Sequence, residues 1–199
     1  MTRAALDVSQ LPEYAFGQRS LMWWATMCLI AIEGTAFGLL IMTYLYLKGR
    51  VPHWPPGLGN PALRWGTLNL IVLLASAVPN ELTKKAAERL DLRGVQLWMA
   101  ISIAFAVAFN VIRFVEFGAL NTRWDTNAYG SIVWFLLGTH TVHVLTDLLD
   151  TVVLAAVMFV GPVDEHRFVD VSENSMYWYF VVLTWIPIYA VIYLAPRFV

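Results

Sequence analysis

Five stretches of apolar residues, each close to or longer than the thickness of a bilayer's hydrocarbon core, constrain this chain more than any other feature. The first, "LMWWATMCLIAIEGTAFGLLIMTYLYL", runs over residues 21–47 and is long enough to cross a bilayer as a helix of about 20 residues or more. Others follow at about 63–79, 95–117, 128–160 and 176–196. A hydrocarbon environment demands that each segment satisfy its own backbone hydrogen bonds, which leaves helices as the natural reading of such runs. With 59% hydrophobic and 14% charged residues, the chain carries more apolar surface than one water-soluble core of 199 residues needs. The expected fold class is therefore all-α, a single membrane domain built as an integral membrane bundle of five transmembrane helices.

The intervening segments support these boundaries. "KGRVPHWPPGLGNPALRWG" is too rich in Pro and Gly for a helix, and its Trp54 and Trp65 suit the headgroup level, as do Trp23, Trp24, Trp98, Trp124 and Trp178 near span ends. The second span is expected to stop near Pro79, before a charged connector, "NELTKKAAERLDLRG", that could form a short surface helix. "GPVDEHRFVDVSENS" reads as a polar loop, and Pro187 should kink the last span. Residues 1–20 are polar and mixed, unlike a signal peptide. If the N-terminus is cytoplasmic, the inner segments hold Arg3, Arg19, Lys84, Lys85, Arg89, Arg93 and Arg167, against Lys48, Arg50, Arg64, Arg123 and Arg197 outside, a modest bias in favour of that orientation. The C-terminus then faces the periplasm or its equivalent.

A formal net charge of −1 and scattered basic residues give no footprint for nucleic acid. The single cysteine, Cys28, has no disulfide partner and reads as a small buried hydrophobe. No phosphate loop, CxxC or HExxH pattern occurs.

Polar groups inside spans are costly and so carry most of the functional information. They are Glu33, Arg113, Glu116, His140, His143, Asp147 and Asp150. Arg113 and Glu116, at i and i+3, should form a local ion pair near the outer interface. In "GTHTVHVLTDLLD", His140, His143, Asp147 and Asp150 share one helical face at about 100° per residue. Three readings stand for that stripe: a metal site, a proton path, or a polar seam bonded to neighbouring helices. One straight helix cannot wrap an ion, and Glu33 and Glu116 are the only further acidic ligands in other spans. A relay needs a wet chain across the membrane, toward which the third and fifth spans offer little. The seam, with Thr139, Thr141 and Thr146 taking part, has the largest share of the argument.

The order of motifs resembles subunit III of the haem-copper terminal oxidases, the cytochrome c and quinol oxidase family. The resemblance rests on "IEGTAF" followed by "TYLYLK", "WPPG" in the first loop, "RFVEF", a turn ending in "YGS", "GTHTVH", and a closing "YWYFVVLTWIPIYAVIYL", over about residues 20–197. It implies a five-span version of a longer fold, with no catalytic residue, no metal and no cofactor in this chain. Haem and copper would sit in a partner, the catalytic subunit I, beside other oxidase subunits. It further implies bound phospholipid, support of proton uptake and of the durability of the oxidase, and a bacterial inner (plasma) membrane location. By the same resemblance Glu33 matches the family's buried glutamate, Glu116 its outer-end glutamate, and His140 and His143 its His-x-x-His pair, all structural or lipid-facing. Arg113, Asp147 and Asp150 depart from the family pattern. A nitric oxide reductase accessory subunit, or an independent metal or proton transporter built on the stripe, are the alternatives.

Overall fold

A computed structural model describes residues 14–198. The expected character of residues 1–13, including the position of Arg3, lies outside the described residues. Five long helices account for the chain: α1 (Leu21–Lys48), α2 (Leu63–Glu88), α3 (Leu92–Gly118), α4 (Ala128–Val160) and α5 (Glu165–Tyr189). A π-helical turn, Ala190–Leu194, extends α5 just past Pro187, whose missing N–H cannot continue the regular ladder.

Four of the five helix starts are marked by a capping side chain, α2 after Ala62 being the exception. The side chains of Ser20, Asp91, Asn127 and Asp164 accept from the backbone N–H of Met22, Gly94, Gly130 and Arg167, satisfying donors that no helical carbonyl reaches. Hydroxyls within the helices are satisfied locally, as those of Thr35, Thr43, Thr141 and Thr184 each donate to the carbonyl four residues back. In hydrocarbon this removes the cost of an unpaired O–H.

α1, α3, α4 and α5 with its extension are long and apolar enough to cross a membrane. α2 has comparable length but less apolar composition, because its inward stripe is polar. Asn69, Ser76, Asn80 and Thr83 are buried there, spaced at the helical repeat with Leu73 and Ala87. α2 packs on α3 and α5, α4 on α3 and α5, and α1 lies on the flank against α4 and α5. Trp185, Phe109, Leu136, Leu137 and Tyr129 fill the main core, and a smaller cluster around Met99, Met158, Val95 and Phe168 closes the opposite end.

The structure corrects several expectations. α2 does not stop at Pro79 but runs on to Glu88, since Asn80, Thr83, Ala86 and Ala87 all turn inward while Lys84 and Lys85 remain outside. The expected charged connector is thus the last two turns of a core helix. α5 begins at Glu165 rather than near residue 176, capped by Asp164 and burying Phe168, Val169 and Val171. Trp54 and Trp178 are core residues rather than belt residues: Trp54 stands edge-on to Tyr44 and Tyr129, and Trp178 donates to the Ser76 hydroxyl at 2.9 Å. Cys28 is exposed on α1, which buries only Phe37 and Tyr44.

Candidate functional site

The stripe on α4 divides between two neighbours. His140 is fully buried, with its ring against Trp185, and its Nε2 lies 3.0 Å from the Val181 carbonyl of α5. A carbonyl only accepts, so Nε2 carries the proton and Nδ1 is left without a partner. Asp147, one heptad further, is equally inward: its Oδ1 accepts from Asn174 Nδ2 at 3.1 Å, and Asn174 Oδ1 accepts from Thr151.

His143 and Asp150 turn toward α1. The Nδ1–H of His143 donates to the Thr139 carbonyl at 2.7 Å, and its Nε2 stands 3.5 Å from Glu33 Oε1. The Tyr177 hydroxyl donates to the other oxygen of Glu33 at 2.6 Å. One carboxylate therefore ties α1 to both α4 and α5, halfway along the flank where α1 has few other inward groups. Asp150 is exposed beside a cleft between α1, α4 and α5.

These contacts leave little for a metal. Nε2 of His140 and Nδ1 of His143 are committed to carbonyls, and a zinc or iron centre needs three or four converging donors. No group of three or more His, Cys, Asp or Glu residues converges in that way among the described residues.

The second polar centre spans α2, α3 and the end of α5. Arg113 is completely buried, 3.0 Å from Glu116 Oε2, and its guanidinium lies 3.9 Å above the Trp185 ring and 4.9 Å from that of Phe109. Glu116 also accepts from Asn69 Nδ2 at 2.5 Å and from the Tyr193 hydroxyl. The pair thus sits inside the bundle, five and two residues from the end of α3 at Gly118. A buried ion pair needs both charges compensated: two further donors meet Glu116, while the guanidinium has the carboxylate and two aromatic faces but no hydrogen-bond partner for its three nitrogens among the described residues. Gly66 makes room for it, because a Cβ there would fall 2.6 Å from the Tyr193 ring.

Nearby, Lys48 donates to the Ala195 carbonyl, Arg197 to those of Pro61 and Tyr193, and Asn121 to that of Gly59. The α1–α2 loop is thus tied to the final turn, and the α3–α4 loop is tied to the α1–α2 loop. Sequence reasoning did not single out Tyr177, Asn174, Asn69, Tyr193 or Trp185. For Asn69 a signal existed: with Ser76, Asn80 and Thr83 it recurs on one face of an otherwise apolar helix.

The comparisons with known proteins agree with this architecture. The family model described as cytochrome c oxidase subunit III matches residues 51–196. The cytochrome c oxidase subunit 3 of Thermostichus vulcanus is 27% identical over 169 residues, covering 83% of each chain. That of Synechocystis sp. is 28% identical over 184 residues, 89% of this chain and 77% of the relative. That of Bacillus sp. strain PS3 is 26% identical over 168 residues, 81% of this chain and 80% of the relative. A match over most of the chain, on a helical bundle whose spans carry these buried polar groups, places it: the chain belongs to the cytochrome c oxidase subunit III family of haem-copper oxidase membrane subunits.

Proposed function

We propose that this chain packs against the catalytic subunit I of a respiratory haem-copper oxidase, supports its proton uptake and its durability, and takes no part in the redox chemistry. Family membership carries the reading. The polar geometry supports it: the intramembrane groups mostly bond to one another across helices, as they would in a rigid scaffold. Haem and copper belong to the partner in this reading. Cytochrome c is the favoured electron donor, since the relatives from Thermostichus vulcanus and Synechocystis sp. are cytochrome c oxidase subunits.

Within the complex, Glu33, Arg113, Glu116, His140 and His143 act as structural groups that fix helix register, while Asp147 and Asp150 face the cleft beside α1. The apolar outer face of α1, with Leu21, Ile32, Leu39 and Met42 exposed, suits lipid or a neighbouring subunit. Phospholipid acyl chains fit a groove of about 640 Å³ lined by Leu47, Ile132, Trp134 and Phe135. The chain sits in a bacterial inner membrane, N-terminus cytoplasmic and C-terminus periplasmic.

Purification through a tag on this chain tests the reading. Haem- and copper-bearing subunits should accompany it, and oxidase lacking it should turn over at first and then lose activity sooner than the intact complex. Isolation of the chain with no haem-bearing subunit would overturn the proposal.

A further inference from the structure

The cleft between α1, α4 and α5 has a volume of about 640 Å³ and an unbalanced lining. Glu33, Asp147, Asp150, Asp170 and Glu173 border it, and no Lys, Arg or His does among the described residues. Two of these acids are already answered: Glu33 by Tyr177 and His143, and Asp170 by Arg167 at 3.2 Å. Two are not. Asp147 and Glu173 are only 3% and 4% exposed, and one oxygen of each, Oδ2 and Oε2, has no hydrogen-bond partner among the described residues. A buried carboxylate oxygen left unpaired is expensive in either protonation state, so the surroundings of this cleft are incomplete in the isolated chain.

A cation would compensate both carboxylates at once, and depth decides what carries the charge. Glu33 lies twelve residues into α1, and Asp147 thirteen residues from the end of α4. At about 1.5 Å per residue these positions are about 18 and 20 Å from the helix ends. A headgroup layer is only about 5–8 Å thick on each side of the hydrocarbon core, too shallow for a lipid ammonium to reach Asp147. A dehydrated metal ion finds no converging set of three or more His, Cys, Asp or Glu ligands among the described residues. A basic side chain projecting from a transmembrane helix arrives at the right level, and intramembrane charges commonly pair in this way. Met22, Leu29, Val153 and Leu154 on the cleft walls would cover its aliphatic stem.

We infer that this cleft receives a lysine or arginine side chain carried at mid-membrane depth by a neighbouring oxidase chain, with Asp147 and Glu173 as its counter-ions. The inference rests on the chain sitting in an oxidase complex, as proposed above. The test uses the purified complex with a photo-reactive benzophenone side chain at Leu154. Irradiation should join Leu154 to a membrane-spanning peptide of another oxidase chain, within one helical turn of a Lys or Arg. The double variant Asp147→Asn, Glu173→Gln should lower retention of this chain through detergent washing by about tenfold or more. Replacing the partner's basic residue by Met should lower retention equally, and combining the changes should add nothing further.

An adduct to lipid, an adduct to the peptide carrying Arg3 of this chain, no adduct to another chain, or unchanged retention of the double variant would each overturn the docking. Absence of every oxidase subunit from the preparation would instead count against the subunit reading itself. The cross-link is made on unaltered carboxylates, so a folding defect in the double variant cannot mimic its result.

Discussion

Glu116→Gln is the sharpest test of how the buried centre is balanced. The change keeps the side chain's size and one carbonyl oxygen but removes the charge 3.0 Å from Arg113, a residue with no exposure at all. The aromatic faces of Trp185 and Phe109 remain, but they are present before and after the change and so offset none of the loss. Removing one partner of a buried ion pair costs about 3–5 kcal/mol. Asn69 and Tyr193 both donate to Glu116, and the amide has a single oxygen for them, leaving a donor unmet at about 1–3 kcal/mol if no rearrangement occurs. The unfolded chain in a micelle also finds polar partners, so a loss of about 3 kcal/mol, the lower end, is expected. Unfolding of the purified chain by titration with denaturing detergent, read by tryptophan fluorescence, measures it. Arg113→Met with Glu116→Gln should recover most of that loss, because a neutral pair of similar volume leaves no charge to compensate. A single-variant loss under about 1 kcal/mol, or a double variant at least as unstable as the single, would refute the reasoning.

Two further outcomes follow from the same geometry. Gly66→Ala should cost about 1–3 kcal/mol in the same titration, because the added methyl lands 2.6 Å from the Tyr193 ring and displaces its hydroxyl from Glu116; an unchanged midpoint would show that the ring moves freely. Glu33→Gln should leave the amount of this subunit in the complex unchanged, since the amide can still accept from Tyr177, whereas Glu33→Ala strands Tyr177 and His143 and should lower it; quantifying the subunit in purified complexes separates the two, and equal depletion by both would show that the ionised form is required.

The helices were legible in the sequence wherever composition alone decides, and α4 spans the expected residues 128–160. The two misread boundaries have one cause. In α2 and at the start of α5, polar and charged residues alternate with buried ones at helical spacing, so average hydropathy falls while the helix continues. Pro79 deepened the error. The lost hydrogen bond falls on the Ala75 carbonyl, one turn before the proline, and the inward stripe of Ser76, Asn80 and Thr83 stays packed across the break, so the helix continues. Partners across helices were the least legible. Tyr177 meets Glu33 and Asn69 meets Glu116 only because of helix register, to which the local pattern of either helix is blind.

The α4 stripe held more information than its shared face suggested. Seven residues at about 100° each return almost to the starting direction, while three residues leave a side chain about 60° away. His140 and Asp147 are therefore aligned with each other, and His143 and Asp150 form a second line turned to one side. The structure follows that division: the first pair is buried and bonds to α5, while the second is half-buried and exposed and borders α1. A metal site on the stripe would need further ligands from α1 or α5, and those helices instead offer hydrogen-bond partners to each line. A seam between three helices needs two diverging lines, one for each neighbour. The spacing is compatible with either a ligand set or a junction, and the partners found on α1 and α5 are what make it a junction. The incomplete part lies on the inward line, where Asp147 borders the cleft beside α1 and keeps one buried oxygen without a hydrogen-bond partner among the described residues.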